Sequence, residues 1–147
     1  MNAYRCAAGW AVTTLLADPE VTAVVGDRVY EGLAPKSAAA YPLLTVQSYG
    51  DPVDTNYQGS RALTTVEVIV RVWDSVPDSK PSSAGRIAPA ADRIDALLSP
   101  VYNVVRPGGV ICSSERIAEV ASTEFRDGNV VRALGGRFTV VVGALPE

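Results

Sequence analysis

LLADPEVTAVVGDRVYEGLAPKSAAAYPLLTVQS, residues 15–48, is the stretch on which the reading of the fold turns. A helix ends at Ala17 and Asp18-Pro19-Glu20 opens another. Asp18 is placed as an N-cap that accepts from an orphan amide, and Pro19 suits the first helical position because it has no amide to lose. Glu20 favours the positive end of the helix dipole. Gly26 supplies the left-handed residue that stops the turn. Val29 and Tyr30 form a short strand, and Leu33 to Ala40 is a small-residue loop. Tyr41-Pro42 then holds the chain extended into a strand over 43–48. Two helices therefore give way to strands within one short segment.

Upstream, residues 3–17 carry a broad apolar stripe of Cys6, Ala7, Trp10, Ala11, Thr14 and Leu15, which predicts a helix. Downstream, YGDPVDTNYQGSR over 49–61 is rich in turn formers and reads as a long, mobile connection. The next strand alternates cleanly. Ala62, Thr64, Val66, Val68, Val70 and Val72 point to the core, against Leu63, Thr65, Glu67, Ile69, Arg71 and Trp73. That second, mixed face suggests partial cover by another element or another subunit.

Asp74 to Ser83 reads as a breaker-rich loop, after which Ile87, Ala91, Ile94 and Leu98 fall at helical spacing. Pro89 would cost about 3 kcal/mol inside a helix and little in the first turn, so the helix is placed from near Arg86, with Ser99-Pro100 ending it. The last third reads as a long hairpin turning at Asp127-Gly128. Pairing about that turn sets Phe125 opposite Val130, Ala121 opposite Leu134 and Ile117 opposite Phe138, an apolar face interrupted by Glu119 opposite Gly136. A bulge at Gly135-Gly136 would turn that carboxylate outward. The order α-α-β-β-β-α-β-β predicts an α+β fold: one domain over 1–147, a mostly antiparallel sheet, and two or three helices packed on one face.

Composition limits the function. With 48% hydrophobic residues in 147, the chain can bury one core. No window approaches the roughly 18 apolar residues of a membrane helix. The amino-terminal stretch lacks the h-region and cleavage pattern of a signal peptide, so the chain reads as mature, cytosol-made protein. A formal charge of −3, only two lysines and eleven scattered arginines disfavour phosphate or nucleic-acid binding as the main role. Arithmetic allows one disulfide between Cys6 and Cys112, but a buried thiol at each site is the expectation.

Little in the sequence points to catalysis. Histidine is missing, and with it the commonest general base and metal ligand. No Cys-x-x-Cys spacing offers a zinc site, and Gly108-Gly109 and Gly135-Gly136 stand without a P-loop or dinucleotide fingerprint. Asp51 with Asp54, and Asp74 with Asp78, read as solvated loop carboxylates, too sparsely spaced for a Ca²⁺ loop. No catalytic, cofactor or metal residue is therefore assigned. Arg61, Arg71 and Arg137 are either intersubunit ion-pair donors or ordinary surface residues.

Leu15-Leu16-Ala17, Val24-Val25-Gly26-Asp27-Arg28-Val29-Tyr30, Ala34-Pro35 and Tyr41-Pro42 together resemble the opening of the siphophage tail terminator, or tail completion, family. Softer matches follow in the Val-rich strand ending at Trp73, the helix ending at Leu97-Leu98, Cys112, and Gly136-Arg137-Phe138-Thr139-Val140. The loop lengths and Pro89 depart from the commoner pattern. The resemblance implies a structural protein of the virion, at the head-proximal end of the tail, with no catalytic role. Copies would form a ring, usually hexameric, that binds the last tail-tube ring, stops polymerisation and meets the head-tail connector. DNA would pass through the channel without specific binding. Leu63, Ile69, Arg71, Trp73 and Arg137 are the expected subunit or partner interface. Asp51, Asp54, Tyr57, Asp74 and Asp78 are the expected channel or docking loops. Another head-tail joining protein, or a tube-like subunit, is the alternative.

Overall fold

Asn2 opens the first helix, its side-chain oxygen accepting from the Arg5 amide at 3.0 Å. The computed structural model describes residues 2–34, 40–79 and 84–145; the side chains of Ser60 and Arg61 fall outside it. So do residues 35–39 of the loop expected at 33–40, with Pro35 and Lys36, and residues 80–83 of the loop expected at 74–83, with Lys80.

Helix α1 (Ala3–Leu16) buries Ala3, Ala7, Ala8 and Ala11 beside Trp10 and Leu15, small residues that let it lie close on the sheet. Helix α2 (Pro19–Val25) is capped by Asp18 with Pro19 in its first turn. The Asp18 carboxylate makes no capping hydrogen bond, however. It accepts from Arg93 Nε at 2.8 Å and so ties α2 to the helix that carries Arg93. Gly26 has φ +62° and ψ −131°, a positive-φ stop but not a left-handed helical one. Helix α3 (Ala88–Leu98) begins two residues later than expected, because a 3₁₀ turn over Ala84–Arg86 precedes it.

The strands are β1 (Val29–Glu31), β2 (Leu43–Ser48), β3 (Val53–Tyr57), β4 (Ser60–Pro77), β5 (Val101–Arg106), β6 (Gly109–Arg126) and β7 (Asn129–Gly143). They form one mixed, mainly antiparallel sheet in the order β1-β2-β4-β7-β6-β5, with β3 also on β4 and only β1–β2 parallel. Residues 63–77 of β4 pair with β7. Its other edge is shared end to end by β2, opposite 68–73, and β3, opposite 60–65. The fold is α+β.

One face of the sheet carries the core. Val66, Val68, Val70 and Val72 of β4 lie beside Val140, Phe138 and Val142 of β7. Leu15, Val21, Val25, Ile94 and Leu98 of the three helices close over them. Fully burying each such side chain is worth about 1.5–3 kcal/mol.

The structure corrects several expectations. Residues 53–57 are a strand within the segment read as a connection, and 101–106 are a second unexpected strand. β4 runs on through Asp74 to Pro77 where a loop was expected, and Ala62 at its start is exposed. The hairpin keeps the expected pairs Phe125–Val130, Ala121–Leu134 and Glu119–Gly136, but the register shifts between Arg116 and Ala118, so the bulge lies at Ile117 and Phe138 faces Arg116. Glu119 is exposed, and so are Ile117, Ala121 and Phe125.

Candidate assembly surface

The face of the sheet turned away from the helices is set by the two-residue period of β4. Leu63, Ile69, Arg71 and Trp73 alternate with the buried valines, and Arg137 of β7 is the register partner of Ile69. The five residues expected at an interface therefore stand on one face.

Polar contacts hold its middle in place. Arg71 stacks over the Trp73 ring at 4.9 Å and donates to Gln47 Oε1 at 2.5 Å. Trp73 Nε1 donates to Thr45 Oγ1 at 2.9 Å. Burial lowers the Arg71 pKa, and the nearby Glu124 carboxylate acts the other way. Arg137 lies over the Tyr49 ring at 4.6 Å and within 3.8 Å of Glu67. Among the described residues the Nε atoms of both arginines are buried without a hydrogen-bond acceptor.

Toward one end of the strands this face becomes apolar. Register links Val53, Thr65, Val141, Ser113 and Tyr102 in one row across the sheet. Thr55, Leu63, Gly143, Val110 and Val105 form the next row. Val53 is 63% exposed, Tyr102 58% and Val105 69%. Tyr57, on the same face of β3, is 70% exposed. Val, Leu or Tyr holds six of the ten positions in these two rows, with Thr55, Thr65 and Ser113 among them, and exposed patches rich in apolar side chains mark contact surfaces. Val53, Tyr102 and Val105 were not singled out in the sequence because their strands were not recognised.

Toward the other end the β6–β7 tip curls over the same face. Between it and β2–β4 lies a cleft of about 580 Å³, lined among others by Leu33, Tyr41, Arg71, Trp73, Glu124 and Arg126. Glu124 and Arg126 pair at 2.5 Å at its rim.

The expected channel or docking residues do not gather. Asp51 precedes β3, while Asp54 and Tyr57 are on it, with Asp54 Oδ1 accepting from Thr64 Oγ1 at 2.6 Å. Asp74 is on β4 and only 5% exposed. It accepts from the Ser75 amide at 2.9 Å and faces Arg86 Nη1 at 3.4 Å, so it is a structural carboxylate and not a loop residue. Asp78 follows β4, its amide donating to Gly128 O at 2.9 Å. Asp54 is opposite Thr64, and from there to Asp78 an extended chain at ~3.3 Å per residue spans about 45 Å. Within one copy these carboxylates cannot form a single rim.

Among the described residues no cluster of three His, Cys, Asp or Glu is placed to hold a metal ion, and no helix is long and apolar enough to cross a membrane. Cys6 and Cys112 are both free thiols.

No protein-family model matches the chain, and no curated protein does. Among solved structures, a chain of the virion of a native gene transfer agent particle aligns over 97% of this chain and 98% of its own, with a TM-score of 0.71 and 15% identity. At that identity the likeness is one of fold. A second solved chain, 18% identical, aligns at a TM-score of 0.44 and bears no argument.

Proposed function

We propose that this chain is a structural protein of a phage-like virion, and within that class a tail terminator. The observation that carries the reading is the end-to-end fold likeness to a chain of a gene transfer agent virion. The uncovered sheet face supports it: an apolar band and a line of positioned arginines are suited to contact with other copies.

In this reading residues 1–147 act as one unit and copies close into a ring, hexameric by resemblance to the terminator family. The ring caps the tail tube, ends its growth and presents a surface to the head-tail connector at the head-proximal end of the tail. Leu63, Ile69, Arg71, Trp73 and Arg137 contribute to contacts between copies or with the tube. Asp51, Asp54, Tyr57 and Asp78 serve docking or the channel rim; Asp74, being buried, is excluded. A pI of about 5.0 suits a passage through which DNA moves without adhering. The chain works by shape, without a cofactor and without catalysis.

Electron microscopy of tails assembled with and without this protein tests the reading. Uncapped tubes of uncontrolled length in its absence are expected, and normal tails would end it. A tube-like role is distinguished by the purified chain itself, which would then polymerise into long cylinders.

A further inference from the structure

β6 is 18 residues long, yet β5 pairs with it only from Gly109 to Ser114. Ser99 Oγ holds the Arg116 amide at 2.8 Å, which occupies the edge that far. From Ala118 to Arg126 β6 has β7 on one side and, among the described residues, no strand on the other. At ~3.4 Å per residue this edge is roughly 30 Å long. Alternate residues along it turn both main-chain N–H and C=O away from β7, a template for one more strand. On the opposite border of the sheet β3 pairs with β4 alone among the described residues.

We propose that β3 of one copy adds in antiparallel fashion to the Ala118–Arg126 edge of the next, joining their sheets. This rests on the ring reading and names its main-chain contact. Polarity favours it. β3 runs against β4, β4 against β7 and β7 against β6, so β3 and β6 run in opposite directions. A rotation that keeps the helices on the same side brings them together antiparallel. Because the two edges differ, each copy offers one and receives the other, the head-to-tail arrangement that closes a ring.

Side chains agree with that partner. Val53, Thr55 and Tyr57 share the uncovered face with Ala118, Val120 and Ser122, which are register partners of Arg137, Gly135 and Ala133. Registers that preserve the face set Tyr57 and Thr55 against Ala118 and Val120, or against Val120 and Ser122. β-branched and aromatic residues then meet small or apolar ones. Within β3 Asp54 falls opposite Ala121 or Thr123, and the second register is the better one, because it carries the preceding Asp51 toward Arg126 where the first carries it toward Glu124. The rival edge, β1, has only three residues, and a level pairing would set Glu31 against Glu119. Thr55 lies level with Leu63, Val120 with Arg71 and Ser122 with Trp73, so neighbouring copies are offset by eight or ten residues, about 27 or 34 Å at ~3.4 Å each, and the strands are inclined to the ring axis.

Cysteine cross-linking tests it on the purified chain and on assembled particles. Thr55→Cys protein mixed with Val120→Cys or Ser122→Cys protein is expected to give a covalent dimer on mild oxidation, while each variant alone gives none beyond the wild-type background. Val120→Lys, which sets a charge on the edge, is expected to lower the assembled fraction by about tenfold or more with an unchanged monomer melt. A Val120→Cys or Ser122→Cys protein that cross-links to itself would overturn the proposal in favour of symmetric β6 pairing. A ring seen by native mass or microscopy without the mixed cross-link would overturn it while leaving the ring intact. A chain that stays solitary both in solution and on tails would overturn both.

Discussion

Replacing Gly135 by alanine should separate β4 from β7 at the middle of the sheet. A Cβ built at Gly135 would lie 1.8 Å from the Val70 carbonyl oxygen, 2.8 Å from Val70 C and 2.9 Å from Arg71 Cα. All three are main-chain atoms of β4, which cannot rotate aside as a side chain can. Reaching even a tight contact near 3 Å requires β7 to move by about 1.2 Å, against an inter-strand spacing of ~4.8 Å. Hydrogen bonds of ~2.9 Å would then stretch to roughly 4 Å and be lost. With two buried main-chain groups left unmet at about 1–3 kcal/mol each, the expected cost is about 2–6 kcal/mol. That is a large share of the ~5–15 kcal/mol by which a domain is usually stable. Urea unfolding followed by tryptophan fluorescence reads it, with Trp10 on the buried face of α1 as the reporter. Two further variants set the scale. At Gly136 the nearest atoms are of the Phe138 ring at 3.0 Å, which can yield, so alanine there should cost about 1–2 kcal/mol. At Gly9, inside α1, nothing lies within 4 Å, and alanine should gain about 0.5–1 kcal/mol. A Gly135→Ala loss under about 1 kcal/mol, or one no larger than at Gly136, would refute the close approach of β4 and β7.

Other perturbations follow from the same geometry. Asp74→Ala leaves the Ser75 amide and Arg86 without their carboxylate and should cost about 1–2 kcal/mol, while Asp51→Ala should stay within about 0.5 kcal/mol, both by urea melts. A thiol reagent should modify half-buried Cys112 before Cys6, which is 7% exposed and whose pKa is raised by burial. Because the folded pKa of Cys6 lies above the unfolded one, its contribution to stability is complete below the unfolded value and lost as pH rises through the folded one. Urea midpoints between about pH 8 and 10 should therefore fall less steeply for Cys6→Ala than for wild type. Val105→Asp or Leu63→Asp should leave the monomer melt within about 0.5 kcal/mol and weaken assembly in sedimentation; unchanged assembly would remove the apolar band from the contact.

The parts of the fold legible in the sequence are those where one short-range rule dominates. Asp127-Gly128 fixes a two-residue turn, and the register beside it follows by counting. β4 is legible because a buried face imposes strict alternation on Val66 to Val72. β3 is illegible for the opposite reason: all five of its residues are exposed, so nothing forces an apolar–polar rhythm, and its flanking glycines and aspartates read as turns. β5 is broken by Asn103 at φ +56°, which spoils its alternation. The bulge was expected at a glycine pair, yet Gly135 marks where β7 crowds β4 and the extra residue is Ile117 across the hairpin. Asp18 looked like a cap because capping is local, whereas its partner Arg93 is 75 positions away and invisible to local rules. The candidate surface was half legible. The β4 residues and Arg137 could be named, but the apolar band drawn from β3 and β5 needed the sheet order.

The position of β7 also governs when the protein can take shape. It is the last strand of the fold in chain order, yet it lies between β4 and β6 at the middle of the sheet. Its pairing with β4 joins Leu63 to Gly143, a closure over most of the polypeptide. Contacts so distant along the chain are slow to form, and a ribosome-bound intermediate lacking β7 has neither a complete core nor a joined sheet. The sheet and its core can therefore be completed only after synthesis has passed this strand.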